Sequence, residues 1–424
     1  MLNITINGQL HQVSDGTRVI AACRAAGVEI PTLCWLEGQA HFTSCMVCVV
    51  KDVHRGRLIP SCSAPVTDGM ALETDTDEVR DARRVALELL LSEHIGDCRA
   101  PCQRVCPLQL DIPRMIRQIA SGELDAAAQT VQNAQTQSGV TCEQCKAPCE
   151  KACRRGRADQ TVAIRRLMEI LGKVESRKSK VEMDSTPNAR EERLQTADCR
   201  PQTQDERLKT EDRRLKTEHP TSNVQHPTTN NQVENQSLNV GRWMLDVGRS
   251  ETPVRFDSTI GPLQPGDLAA FLAGAAEGPQ VIPAGEGYTP AEAAREAARC
   301  LRCDCRKPEG CKLRDLAETY GARQARYKGT GRNPVAIMRD HPAIVFDPGK
   351  CIKCGICTRL VEAAGEAPGL TFLNRGMETT VGVPFGDPLG QALTLATALR
   401  CAHACPTGAL ALPEGIDVTC GLHL

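Results

Sequence analysis

The first 30 residues alternate between apolar and polar positions before the pattern changes to a helical period. Residues 3–7 and 11–13 alternate around Gly8, which predicts a β-hairpin. A helix should follow and end at Gly27, since glycine is typical of helix C-termini. Cys23 lies on the apolar face of this helix, so it is interpreted as a small buried hydrophobe.

Helical periods dominate the rest of the patterned sequence. Apolar residues recur at helical intervals over 77–94, and further helices are predicted over 111–121 and 124–131. Residues 289–292, Thr-Pro-Ala-Glu, form a capping box with proline at the first helical position, which predicts another helix start. A chain of 424 residues can hold several domains. Strands followed by helices predict an α+β multidomain fold.

Neither period persists between residues 175 and 250. The sequence of 205–211 is almost duplicated at 212–218, with one leucine in each seven residues. A single leucine per heptad gives no apolar seam, so a coiled coil is disfavoured. The polar, charged composition instead predicts a disordered linker over 175–250.

Charge and composition exclude several classes of function. The formal net charge of -1 gives no sign of binding to nucleic acid or to an anionic membrane. The chain lacks both a long apolar run and an N-terminal signal pattern, so we expect a soluble cytoplasmic protein with no direct membrane span. The 23 cysteines then favour metal ligation over a secreted disulfide framework. Zinc is the main alternative to iron, because Cys-x2-Cys also occurs in zinc ribbons.

The first cysteine motif comes after the predicted hairpin and helix. Its spacing is x10, x2 and x13 between successive cysteines, and four thiolates are the ligands that a [2Fe-2S] cluster needs. The order and flanks resemble the [2Fe-2S] domain of the large iron-sulfur subunit of complex I, of iron hydrogenases and of NAD-linked formate dehydrogenases. The resemblance implies a β-grasp ferredoxin domain over 1–78. Its ligands would be Cys34, Cys45, Cys48 and Cys62.

A second group of seven cysteines falls on a predicted helical scaffold over 79–174. Cys106-Pro107 and the run from Cys145 to Gly156 resemble the double-cluster domain of the glutamate synthase small subunit and of dihydropyrimidine dehydrogenase. The resemblance implies two [4Fe-4S] clusters, which need one ligand beyond the seven cysteines. His94 and Gln160 are candidates for this ligand. Cys142 is one of the seven, but it sits outside the usual pattern and is a third candidate. The seven cysteines are Cys98, Cys102, Cys106, Cys142, Cys145, Cys149 and Cys153.

A third group lies in a cysteine-rich helical segment predicted over 251–335. Its spacing is irregular, and the residues directly after it, 312–321, resemble the sequence after the His- and Cys-ligated cluster of the complex I and hydrogenase subunits. A four-cysteine cluster is one interpretation, while zinc or core cysteines are the others. The candidates are Cys300, Cys303, Cys305 and Cys311.

The last group predicts a ferredoxin-like domain over 336–424. In a two-cluster bacterial ferredoxin a fourth cysteine of the first run would serve the other cluster, but Val361 stands at that position. Ala398 likewise replaces a cysteine of the second run. One [4Fe-4S] cluster is therefore expected here, with Cys401 left over. Its ligands would be Cys351, Cys354, Cys357 and Cys405.

These motifs favour electron transfer over catalysis. No Gly-x-Gly-x-x-Gly follows a predicted strand, so a flavin or nicotinamide site is not expected in this chain. Iron-sulfur clusters carry single electrons, and NAD(P)H needs a flavin or metal partner to split its electron pair. The expected cofactors are one [2Fe-2S] cluster and two to four [4Fe-4S] clusters.

The leading hypothesis is a non-catalytic subunit between a flavin NAD(P)H-oxidising partner and a second redox enzyme. NADH dehydrogenase, hydrogenase and formate dehydrogenase types are candidates for that enzyme. One alternative is a remnant of an FAD-dependent oxidoreductase without its nucleotide-binding domain. Another is a redox or iron sensor, although no effector surface is evident in the sequence.

Overall fold

The computed structural model describes residues 1–39, 42–139, 141–142, 145–172, 256–278, 287–329 and 331–413. These residues belong to one compact unit, Met1–Glu182 with Arg255–Leu424. The linker predicted over 175–250 lies outside the described residues, and the other predicted domain boundaries stay predictions. Helices and strands are mixed along the chain, in agreement with the predicted fold class at that level.

A five-stranded mixed sheet forms the N-terminal part. Its strands are β1 (Leu2–Ile6), β2 (Gln9–Val13), β3 (Val49–Asp52), β4 (Arg57–Pro60) and β5 (Ala71–Glu73), in the order β2-β1-β5-β3-β4. The predicted hairpin is β1 with β2, and β1 pairs parallel with β5. Helix Val19–Ala25 packs on the sheet, and Cys23 is buried in the shared apolar core.

One long helix, Asp77–Ser92, joins this sheet to the rest of the molecule. Its N-terminus is capped by Thr76, whose side chain accepts a hydrogen bond from the N–H of Val79 at 3.3 Å. Leu87 and Leu91 are buried in a core that also holds C-terminal residues such as Phe346. The helix therefore ties the N-terminal sheet to the C-terminal region.

A helical region comes next, and a distant segment contributes to it. Ala293 and Ala297 pack into the same core as Met115 and Ile119, so the capped helix Pro290–Ala297 lies against Ile112–Ala120. Residues 164–172 form another helix of this core. The remaining helices here are Pro101–Arg104, Leu124–Ser138, Pro148–Lys151 and the 3-10 turn Arg154–Arg157.

The C-terminal region combines short strands and helices. Strand Val345–Phe346 pairs antiparallel with Leu410–Ala411, and Thr371–Leu373 pairs antiparallel with Thr380–Gly382. Across the described ranges, no helix is both long and apolar enough to cross a membrane. The α-helices that begin after residue 256 and are not yet named are Asp267–Leu272, Lys312–Thr319, Ile356–Ala363, Leu389–Ala392 and Leu395–Ala404, with 3-10 turns at Pro348–Lys350, Gly376–Glu378 and Pro384–Gly386.

Candidate metal centres

Four thiols meet beside the N-terminal sheet, and we call them the N-terminal quartet: Cys34, Cys45, Cys48 and Cys62. All are buried, with at most 3% of the residue exposed. The loop between helix Val19–Ala25 and β3 carries three of them, and Cys62 lies just after β4. The thiol of Cys34 is in hydrogen-bond contact with those of Cys45 and Cys62, and Cys62 is in turn in contact with Cys48. Folding alone thus brings four distant thiols to one place.

Hydrogen bonds in this quartet favour thiolate at Cys34 and Cys48, and they raise the pKa values of the donor thiols Cys45 and Cys62. The thiols of Cys45 and Cys62, together with the backbone N–H groups of Cys45 and Ser44, lower the pKa of Cys34 to about 2. A hydrogen bond from the Cys62 thiol likewise lowers the pKa of Cys48 to about 7. Thiolate is the form that binds metal, and N–H groups aimed at sulfur tune a bound cluster.

The C-terminal quartet consists of Cys351, Cys354, Cys357 and Cys405, which line one cavity. The other walls are largely apolar, and they include Phe346, Ile352, Ile356 and Leu410. The N–H of Lys353 donates to the Cys351 sulfur at 3.3 Å. Burial raises the pKa values of Cys351 and Cys354 to about 12. Such thiols stay protonated near neutral pH unless a metal displaces the proton.

A third set, here the split quartet, joins two distant parts of the chain. Cys102 and Cys153 line the same cavity as Cys300 and Cys303. Apolar side chains such as Ile116 line much of the rest of the cavity, together with Arg154 and Arg155. The four thiols interact electrostatically with one another. The predicted group at 300–311 is therefore divided, because its first two members face the helical region.

The helical quartet is the fourth set: Cys106, Cys142, Cys145 and Cys149. The Cys142 thiol interacts electrostatically with Cys145 and Cys106, and the Cys149 thiol with Cys106 and Cys142. Burial raises the pKa of Cys142 to about 11 and that of Cys149 to about 12. Of the proposed extra ligands, Cys142 lies with this set, while Gln160 is exposed.

The remaining candidates form a His/Cys set of His94, Cys98, Cys305 and Cys311. The N–H of Cys305 donates to the carbonyl of Cys98 at 3.3 Å, and the Cys311 thiol interacts electrostatically with both Cys305 and Cys98. His94 is buried, and both it and Cys305 interact with the Lys350 ammonium. Cys98 is thus placed with Cys305 and Cys311 rather than with the helical cysteines.

Two observations test whether these sets suit iron-sulfur clusters. The His94 Nδ1 atom is buried and has no hydrogen-bond partner among the described residues, so it is free to bind a metal. The thiols of the split and C-terminal quartets surround cavities, as the corner irons of a cubane require. No three His, Cys, Asp or Glu side chains of the described ranges are placed to hold a single metal ion. The donors of the split, C-terminal and His/Cys sets are therefore compatible in type and position with iron-sulfur clusters.

Sequence reasoning missed the division of the 300–311 group, although the sequence contained a signal for it. In the complex I and hydrogenase subunits that this region resembles, the His- and Cys-ligated cluster has the spacing His-x3-Cys-x2-Cys-x5-Cys. His94-x3-Cys98 and Cys305-x5-Cys311 match the two ends of that spacing, but the whole helical region lies between them. Likewise, Cys300-x2-Cys303 is a closely spaced pair that lines one cavity with Cys102 and Cys153 of the helical region. Both motifs become continuous only when residues distant in the chain are brought together.

Comparison with known families supports the two N-terminal regions. Residues 1–77 match the family described as "2Fe-2S iron-sulfur cluster binding domain". Residues 88–180 match "Dihydroprymidine dehydrogenase domain II, 4Fe-4S cluster". The predicted [2Fe-2S] domain and the predicted 4Fe-4S domain are confirmed at this level.

Several similar proteins each match 23% of this chain. The NADP-reducing hydrogenase subunit HndD of Solidesulfovibrio fructosivorans is 45% identical over 103 residues, 23% of this chain and 18% of that protein. An NADH-quinone oxidoreductase subunit of Rickettsia bellii is 42% identical over 98 residues, 23% of this chain and 14% of that protein. The mitochondrial NADH-ubiquinone oxidoreductase 78 kDa subunit of Candida albicans is 34% identical over 97 residues, which are 23% of this chain and 14% of that protein. The chain spans less than a fifth of the length of these relatives.

A solved NAD+-reducing [NiFe]-hydrogenase aligns with 99% of this chain and 90% of its own, at 16% identity and a TM-score of 0.45. That score is too low to define a shared fold. The family matches and the relatives described above carry the assignment. The chain has a [2Fe-2S] domain followed by a 4Fe-4S domain, and it resembles iron-sulfur subunits of NADH-quinone oxidoreductase and of the NADP-reducing hydrogenase.

Proposed function

We propose that this protein is a multi-cluster electron-transfer subunit that relays electrons between a flavin NAD(P)H-oxidising partner and a second redox enzyme. The observation that carries the proposal is the gathering of cysteine and histidine side chains into five sets of four. Five redox centres in one compact unit suit a relay. We also place the protein in the cytoplasm, where thiols stay reduced.

Each set has a proposed cluster. The N-terminal quartet would hold the [2Fe-2S] cluster, which agrees with the family match over residues 1–77. The split, helical and C-terminal quartets would each hold a [4Fe-4S] cluster with four thiolates. The His/Cys set would hold another, with three thiolates and one imidazole. Bound clusters supply single-electron redox chemistry, and this assignment gives one [2Fe-2S] and four [4Fe-4S] centres.

The chain itself sets how readily each centre accepts an electron. Apolar walls around the C-terminal quartet exclude water and disfavour added negative charge. The cavity of the split quartet is also lined by Arg154 and Arg155, whose positive charges favour added negative charge there. Hydrogen bonds to sulfur favour added negative charge, such as the bond from the N–H of Ser258 to the Cys98 sulfur at 3.4 Å. The balance of these two effects would differ between the sets and so spread their potentials.

The partners are inferred from chemistry and from the relatives. The chain has no Gly-x-Gly-x-x-Gly fingerprint after a strand, so a flavoprotein subunit would exchange hydride with NAD(P)H. The names of the relatives include an NADP-reducing hydrogenase and an NADH-quinone oxidoreductase. A hydrogenase, a quinone-linked enzyme or a formate dehydrogenase would therefore be the second partner.

Anaerobic purification followed by iron, acid-labile sulfide and zinc analysis tests the proposal. The expected content is about 18 irons per chain, from two in the [2Fe-2S] and four in each [4Fe-4S] centre. NADH should reduce the clusters only after a flavoprotein recovered by affinity purification is added back. Zinc in place of iron, or the absence of labile sulfide, would contradict the relay. A fully loaded protein that recovers no redox partner would favour the remnant.

A further inference from the structure

A buried arginine lies between two of the candidate metal centres. Arg359 follows Cys357 by two residues in helix Ile356–Ala363 and is 5% exposed. Its Nη2 donates a hydrogen bond to the carbonyl oxygen of Cys34 at 3.0 Å. The Phe42 ring covers it, with the guanidinium carbon 4.7 Å from the ring centroid. One side chain therefore contacts the N-terminal quartet from the helix that carries a ligand of the C-terminal quartet.

The guanidinium forms no ion pair with a carboxylate of the residues that the structure describes. Its Nε and Nη1 atoms are buried and have no hydrogen-bond partner among the described residues. Its ionisable neighbours are the thiols of Cys354, Cys34 and Cys357. Burying a guanidinium without an opposite charge is strongly unfavourable. Arginine stays protonated at any pH the protein meets, so the missing negative charge must come from its surroundings.

We propose that Arg359 is the shared counter-charge of the clusters in the N-terminal and C-terminal quartets. This inference rests on the ligand assignment of the proposed function. Clusters held by four thiolates are anionic, and each gains one more negative charge on reduction. A fixed positive charge between them therefore favours the reduced form of both and raises both reduction potentials.

The position of Arg359 between the two centres also affects electron transfer from one to the other. When one electron leaves the N-terminal centre and arrives at the C-terminal centre, the first is oxidised and the second reduced. No bond forms or breaks, and Arg359 keeps its proton. Because the guanidinium neighbours ligands on both sides, it stabilises the electron at either end. It thus raises both potentials without strongly favouring one direction.

The test is an anaerobic redox titration of the full chain, followed by electron paramagnetic resonance of each cluster. Arg359→Gln should shift the midpoint potentials of the [2Fe-2S] and C-terminal [4Fe-4S] centres to more negative values and leave the helical-region centres unchanged. Arg359→Lys keeps the positive charge, so both midpoint potentials should stay near those of the unmodified protein. Arg375→Gln removes an exposed arginine of the C-terminal region and should shift nothing.

Three results would overturn the inference. The first is an unchanged pair of potentials in a fully loaded Arg359→Gln protein. The second is an equal shift in Arg359→Gln and Arg359→Lys, which would assign the effect to the bond with the Cys34 carbonyl. The third is loss of the clusters in both variants, which would make the role of Arg359 structural. Loss of the clusters in Arg359→Gln but not in Arg359→Lys would instead support the role of the positive charge.

Failure of the proposed function is distinguishable from these results. If the unmodified protein lacks iron in either quartet, the ligand assignment fails before Arg359 is tested. If the protein is loaded but has no redox partner, the relay fails while the potential shifts remain measurable.

Discussion

Removing one cysteine from each half of the split quartet gives the sharpest test of how the ligands are grouped. Cys102 and Cys300 lie far apart in the chain but line one cavity. We predict that Cys102→Ala and Cys300→Ala abolish the same [4Fe-4S] centre. An assignment by local spacing alone would instead place them in two different clusters.

The magnitude is set by the stoichiometry of a cubane. Each single variant should lose about four irons and about four sulfides of the roughly 18 irons per chain. The double variant should lose no more than either single one, because both changes act on one site. Combining Cys300→Ala with Cys305→Ala should lose about eight irons, since Cys305 belongs to the His/Cys set.

The assay is iron and sulfide analysis of anaerobically purified protein, with electron paramagnetic resonance to identify the missing signal. Cys23→Ala is the matched control, because this thiol is fully buried in the apolar core beside the sheet and belongs to no quartet. It should retain all iron. A loss of about eight irons in the double variant Cys102→Ala/Cys300→Ala would refute the grouping.

Three other changes have defined outcomes. In Gly408→Ala the new Cβ would overlap the Cys305 sulfur, so about four irons should be lost from the His/Cys set. Burial opposes ionisation of Asp267, but hydrogen bonds from Arg332 and two backbone N–H groups outweigh it and lower its pKa from 3.8 to about 2. Asp267→Asn should therefore cost about 3–5 kcal/mol in urea unfolding. That cost should be constant from pH 8 to pH 5, because the Asp267 carboxylate is then ionised in both the folded and the unfolded protein. It should shrink only as the pH falls below the ordinary pKa of 3.8 toward the folded-state pKa of about 2. Thr289→Ala removes a capping box and should cost about 1 kcal/mol in the same assay.

Controls separate these effects from general damage. Gly331→Ala adds a methyl group in open space and should keep all iron. Asp387→Asn changes an exposed carboxylate and should leave unfolding within about 0.5 kcal/mol of the unmodified protein. Full iron content in Gly408→Ala, or an Asp267→Asn effect that declines between pH 8 and pH 5, would contradict the reasoning.

Local features of the fold could be predicted from the sequence. The hairpin around Gly8 and the helix start at Thr289 match the structure, because turn and cap chemistry acts over a few residues. Helix Leu124–Ser138 extends seven residues beyond the predicted end at 131. Its second half is polar and largely exposed, so the apolar period stops before the helix does.

The grouping of distant ligands could not be predicted in the same way. Spacing reports which cysteines share a loop, as in 351–357, but it does not report which loops meet. Cys305 is two residues from Cys303, yet its N–H bonds to the carbonyl of Cys98, whereas Cys303 lines the cavity of Cys102. That division depends on helix Pro290–Ala297 packing against Ile112–Ala120, which is a tertiary contact.

The split quartet also bears on how the protein would respond to proteolysis. A single cut between Leu171 and Phe256 would leave Cys102 and Cys153 on one fragment and Cys300 and Cys303 on the other. On the proposed ligation, iron would then act as a cross-link between two separate polypeptides. A cleaved protein that still contains its iron would migrate as one species. After the iron is removed by a chelator, only side-chain packing would hold the two fragments together.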